Sequence, residues 1–87
     1  MKIKKNFALR QVAGNWVVLP LATATLDFNG MLSLNETGVE LWHLLETGST
    51  REEMATSLTD IYEVDYDQAL ADVDEFIDTL EKAGCLE

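Results

Sequence analysis

His43 and Cys85 are the side chains of this chain best suited to acid–base, nucleophilic or metal chemistry, and each is the only residue of its type. His43 sits between Trp42 and Leu44. A zinc or catalytic site draws on several Cys, His or carboxylate groups at ligand spacing, and no such cluster accompanies it. His43 therefore reads as a partly exposed helix residue. Cys85 would need an adjacent base and a cationic setting to act as a nucleophile. Its basic neighbour in sequence is Lys82, so it reads as a small apolar residue near a helix end. A single cysteine cannot form an internal disulfide, which points to a reducing compartment, the cytoplasm.

Carboxylates are abundant: sixteen Asp and Glu. Asp65-Tyr66-Asp67 resembles the opening of a calcium loop. That loop needs Gly at its sixth position and Glu at its twelfth. Leu70 and Phe76 stand there instead. Asp72 and Asp74, two apart, cannot share a helix face, whereas Asp74 and Asp78 can. The latter pair reads as a solvated face. No Gly-rich phosphate loop is present. An acyl carrier would need a serine for its prosthetic arm, usually after Asp at a helix start, and the chain has no Asp-Ser pair. The expectation is a protein that is not an enzyme, with no metal and no cofactor.

The elements that position these residues follow from composition and period. With 87 residues, 47% of them hydrophobic and 25% charged, the chain has the make-up of one soluble domain, residues 1–87. The formal charge is −10, from six Lys and Arg against sixteen Asp and Glu. Lys2, Lys4, Lys5 and Arg10 lie in the first ten residues, and beyond them only Arg51 and Lys82 are basic. Such a body repels phosphates, so nucleic acid and anionic membrane surfaces are not expected partners. No signal peptide and no apolar run of membrane-spanning length is apparent.

Residues 7–34 are rich in Val, Leu, Thr and aromatics, in short runs between turn residues. Three strands are expected, at about 6–12, 15–20 and 31–34. Ala13-Gly14-Asn15 signals a turn, Pro20 closes the second strand, and Asn29-Gly30 is suited to a tight hairpin. From Asn35 the period becomes helical. Asn35 is a fitting N-cap, and Leu41, Trp42, Leu44 and Leu45 give an apolar face before Gly48. Thr50-Arg51-Glu52-Glu53 fits a capping box. Asp65 caps a third helix, whose Ala69, Leu70, Val73, Phe76, Ile77 and Leu80 recur at spacings of three and four. The helices are expected at about 36–47, 50–63 and 65–83. Strands followed by helices make an α+β domain with a small antiparallel sheet. A sheet this short cannot close on itself, so a strand edge stays open. A free edge beside an apolar helix suits the addition of a peptide as a further strand.

The ordered string Leu32-Ser33-Leu34-Asn35-Glu36-Thr37-Gly38, Leu41-Trp42-His43-Leu44-Leu45, Gly48-Ser49-Thr50, Asp72-Val73, Phe76-Ile77, Leu80 and Gly84-Cys85-Leu86 resembles the PqqD family. These are the peptide chaperones of pyrroloquinoline quinone biosynthesis and their relatives. The resemblance spans about residues 7–87. It implies a winged-helix-like fold, a RiPP recognition element. Such an element binds the leader of a ribosomally made precursor peptide and presents it to a modifying enzyme, often a radical S-adenosylmethionine enzyme. It further implies that the leader docks between the third strand and the third helix. Carried over, the strand is Met31, Leu32, Ser33 and Leu34, and the helix wall is Ala69, Asp72, Val73 and Phe76. Leu32 and Leu34 would face inward, Met31 and Ser33 outward, with the backbone of all four open to pairing. Val73 and Phe76 share a stripe with Leu70 and Ile77, so core and groove roles are both open to them. Asp72 lies at the edge of that stripe. With the chain ending at Glu87, a free-standing element is expected.

Two other classes compete. A winged-helix DNA-binding regulator would share the fold, but its second helix offers Arg51 alone, beside Glu52 and Glu53. A structural subunit could pair its free edge with a second copy as a homodimer.

Overall fold

The computed structural model describes residues 1–5, 7–21 and 32–87. Strands β1 (Phe7–Val12) and β2 (Asn15–Pro20) form a hairpin whose closing pair is Val12 and Asn15. Its two-residue turn is Ala13-Gly14, with φ of 52° and 84°. Two positive φ values in succession make a type I′ turn, whose twist matches that of the flanking strands. Gly14 takes this geometry freely and Ala13 does so at some strain. Asn15, the last residue of the turn signal, opens β2 where the second strand is expected, at 15–20. A third strand, β3 (Leu32–Leu34), pairs antiparallel with β2, giving the order β1-β2-β3. Asn6, Met31 and the expected Asn29-Gly30 hairpin lie outside the described residues.

Three helices follow. In α1 (Glu36–Thr47) the Asn35 side chain accepts from the Gly38 N–H at 2.8 Å. In α2 (Arg51–Ile61) the capping box closes both ways: Glu53 N–H donates to Thr50 Oγ1 at 3.1 Å, and Thr50 N–H donates to Glu53 Oε1 at 3.0 Å. This helix ends two residues short of the expected 63. Tyr62 is extended, and both Tyr62 and Val64 pack onto the core. Burial of these two side chains outweighs another half-turn of helix. In α3 (Tyr66–Ala83) Asp65 accepts from the Gln68 N–H at 2.8 Å. Gly84 ends the helix in a left-handed conformation, φ 76°. Cys85 N–H reaches back to the Leu80 carbonyl at 3.0 Å, the six-to-one bond of a Schellman end.

Val18 from the sheet, Leu41, Trp42 and Leu45 from α1, Met54, Ala55 and Leu58 from α2, and Ala69, Val73 and Leu80 from α3 form one apolar core. Trp42 is its largest fully buried member. The first residues also join it. Ile3 is buried and pairs antiparallel with Leu86. Around that bridge, Lys4 N–H donates to the Cys85 carbonyl at 2.8 Å and Glu87 N–H to the Lys2 carbonyl at 3.0 Å. Ile3 N–H donates to Leu45 O at 3.0 Å, and Ser49 N–H to Met1 O at 2.9 Å. Residues 1–4 are thus held by the end of α1, the loop after it and the chain's tail. No helix of the described residues is long and apolar enough to cross a membrane.

Candidate peptide-binding groove

The register of the sheet decides which peptide groups of β3 are open. In a two-residue hairpin the closing pair is hydrogen-bonded, and bonded and non-bonded pairs then alternate along the strands. With Val12 and Asn15 as the closing pair, Asn15, Val17 and Leu19 turn their peptide groups toward β1. Trp16 and Val18 turn theirs toward β3, where they face Leu34 and Leu32. Ser33, opposite Val17, is left with N–H and C=O pointing away from β2. The backbone offered by the described part of this strand therefore narrows from the expected run to Ser33. Met31 shares its parity in sequence but lies outside the described residues. Past Leu34 the edge is closed off. The Asn35 carbonyl accepts from Val39 N–H at 2.9 Å, and its side chain caps α1.

Beside this edge lies a groove of about 610 Å³. Leu32, Ser33 and Leu34 form one wall and Asp72, Glu75, Phe76 and Thr79 of α3 the other. Asn35, Thr37, Gly38 and Leu41 complete the lining. Leu32, Leu34 and Phe76 are half-buried and pack against the core, while Ser33 is exposed. Phe76 thus serves groove and core together.

Of the residues expected to bind peptide, the structure brings Leu32, Ser33, Leu34, Asp72 and Phe76 to one groove. Ala69 and Val73 are 0% exposed and belong to the core. They support the helix from behind and present no surface to a peptide. Their positions fall in step with Leu80, the inner stripe of α3, whereas the groove takes the neighbouring stripe. Sequence reasoning does not single out Glu75 and Thr79, although both follow Asp72 at helical spacing, three and seven residues on. It also misses the contribution of α1. The signal for that contribution is local: an N-cap immediately after a strand brings the first turn of the helix against that strand's edge.

Charges on α3 divide by face. Asp74 accepts two hydrogen bonds from the Arg51 guanidinium, the one from Nη2 at 2.8 Å, and this bonding lowers its pKa. Lys82 pairs with Asp78 at 2.8 Å. On the groove side Asp72 accepts from Gln68 Nε2 at 3.0 Å. Elsewhere, His43 Nδ1 lies 2.7 Å from Glu46 Oε1 on the exposed face of α1. Cys85 is fully buried, and burial pushes its thiol up to about 11 despite the opposing pull of Lys4. Among the described residues no group of three or more His, Cys, Asp or Glu is placed to hold a metal ion.

The solved structure of TbiB1 in complex with the TbiA(beta) leader peptide superposes with a TM-score of 0.79 at 28% identity, covering 100% of this chain and 95% of that one. No curated protein sequence matches the chain. The family of coenzyme PQQ synthesis protein D (PqqD) matches residues 15–86, which hold β2, β3 and all three helices. The chain belongs to the PqqD family.

Proposed function

We propose that this protein is a non-catalytic peptide chaperone. It binds the leader segment of a ribosomally synthesised precursor as a fourth strand on β3 and presents it to a modifying enzyme. The observation that carries this reading is the outward N–H and C=O of Ser33 beside a groove walled by Phe76 and Asp72. An edge with unpaired peptide groups gives affinity through the backbone, and an adjoining pocket gives selectivity through side chains. The likeness to TbiB1, solved with a leader peptide, supports the same reading. The enzyme it serves would belong to the radical S-adenosylmethionine class met in PqqD pathways. One titration tests the proposal. A synthetic leader from a precursor encoded beside this chain's gene is added to isotopically labelled protein, and amide shifts are followed by NMR. The largest shifts should fall on residues 32–38 and 72–79. Shifts confined to the α1–α2 face, around His43 and Ile61, would reject the groove.

A further inference from the structure

We propose that the peptide held in this groove carries a lysine or arginine that meets Asp72 and Glu75. The inference rests on the groove being the peptide site and adds the chemistry of its occupant.

The chain has six Lys and Arg, and each can be placed. Arg51 is engaged by Asp74 and Lys82 by Asp78, both away from the groove lining. Arg10 lies on β1, the far side of the sheet from β3, and its Nη1 donates to the Leu9 carbonyl. Lys2, Lys4 and Lys5 border a different hollow, with Phe7, Trp42 and Glu46. Residues 22–31, ATATLDFNGM, contain no Lys or Arg at all. Among the described residues, which include all six Lys and Arg, no cation pairs with Asp72 or Glu75 where they line the groove. Asp72 is half-buried and has a neutral amide, Gln68 Nε2, as its hydrogen-bond donor.

A strand added to β3 runs ~4.8 Å beyond it, with alternate side chains on each face. Those turned toward α3 meet Asp72, Glu75 and Phe76. A guanidinium there can fork between two carboxylates and lie over the Phe76 ring; an ammonium can take the same place as a point charge. An acidic side chain in that position would be repelled by both carboxylates and by a body of charge −10. The groove therefore discriminates by sign of charge.

The test uses a displayed library of random twelve-residue peptides, selected on the immobilised full chain. Wild type should enrich peptides with Lys or Arg at one fixed position. The variant Asp72→Asn/Glu75→Gln keeps side-chain shape, and the amide introduced by Asp72→Asn still offers Gln68 a carbonyl. It should bind the selected peptides roughly threefold to tenfold more weakly, as expected for a partly exposed charge-assisted contact. That difference should shrink in high salt, where such contacts are screened. Selection without a basic preference, or unchanged affinity in the neutral variant, overturns the proposal. Ser33→Pro separates it from the underlying reading, with circular dichroism confirming the fold. If the folded Ser33→Pro variant still binds the selected peptides, the groove itself is not the site and both readings fall. If it loses them while the neutral variant does not, only the charge inference falls. A library that enriches nothing overturns both.

Discussion

A Cβ built on Gly38 would lie 3.4 Å from Cε1 of Phe76, with Leu34 Cβ and the Asn35 Oδ1 cap each at 3.3 Å. The first turn of α1, the end of β3 and the aromatic ring of α3 therefore converge on a space that fits a hydrogen and crowds a methyl group. Gly38 is helical, so alanine there gains helix propensity while pressing on all three neighbours. Gly38→Ala should shift stability by no more than ~1 kcal/mol, since these two effects oppose each other. Gly38→Val should lose about 1–3 kcal/mol by overpacking, and should weaken peptide binding by displacing Phe76. Urea denaturation of both variants checks this; a valine variant as stable as wild type would show that the contact yields freely.

Ser33→Pro removes an N–H that the sheet does not use, because that group faces the open edge. Proline is tolerated on edge strands for this reason. The variant should keep its fold and lose peptide binding, both through the missing donor and through the ring. Ser33→Ala, which keeps the N–H, should bind as wild type does. Circular dichroism and peptide titration, run side by side, measure the two effects separately.

Val73 and Phe76 should separate core from groove. Val73 is fully buried, so Val73→Ala should cost roughly 2 kcal/mol of stability while leaving the peptide affinity of the folded protein unchanged. Phe76 is half-buried and lines the groove. Phe76→Ala should lose both stability and affinity. Equal affinity losses for the two variants would mean that the α3 wall is read through its backbone position, not its surface.

Cys85 should be chemically silent in the folded protein. It is fully buried, and its thiol is pushed up to about 11, so the reactive thiolate is scarce at neutral pH. A disulfide reagent at pH 8 should label it only at the rate at which the chain opens, and promptly in denaturant. Immediate labelling of native protein would contradict the burial of the tail.

The Asp74 carboxyl is held below the ordinary carboxylate range by its hydrogen bonds from Arg51. As pH falls, the unfolded chain takes up this proton before the folded one does. The contribution to stability is complete above the ordinary carboxylate range and is lost as pH drops through the folded value. Wild type should therefore melt above Asp74→Asn at pH 7, with the gap closing as the pH falls below the ordinary carboxylate range. A gap that stays constant over that interval would assign the difference to something other than the charge of Asp74.

The capping residues are the most legible part of the sequence. Asn35, Thr50 with Glu53, Asp65 and Gly84 act within three or four residues of themselves, so their types announce the helix ends without reference to the rest of the fold. The open edge of β3 is of another kind. That the peptide groups of Ser33, and not those of Leu32, point away from β2 depends on the register with β2, and that register is counted from the Ala13-Gly14 turn. Residue types put Asn15 both in the turn signal and at the start of the second strand, and a count of peptide-group parity needs the closing pair itself, Val12 with Asn15. Val73 and Phe76 lie three apart on one helix, and periodicity leaves both with two roles. Packing separates them, because Val73 meets the core whereas Phe76 stands where the helix rolls away from it. The ordering of residues 1–4 has no local signal. Ile3 is one apolar residue among lysines, and its partner Leu86 is almost a whole chain away.

That pairing of Ile3 with Leu86 gives the domain a late clasp. During synthesis the strands and the first two helices are complete long before residue 86 exists, and the opening segment has only half of its seat until then. Residues 2–4 are thus locked only once residues 85–87 have been made. Once locked, residues 3 and 86 are neighbours, about 4.5–5.5 Å apart across an antiparallel bridge. A short linker could join residue 87 to residue 1, and residues 1–87 could then be opened at the Ala13-Gly14 turn, on the hairpin tip, without disturbing the β3 edge or the α3 wall.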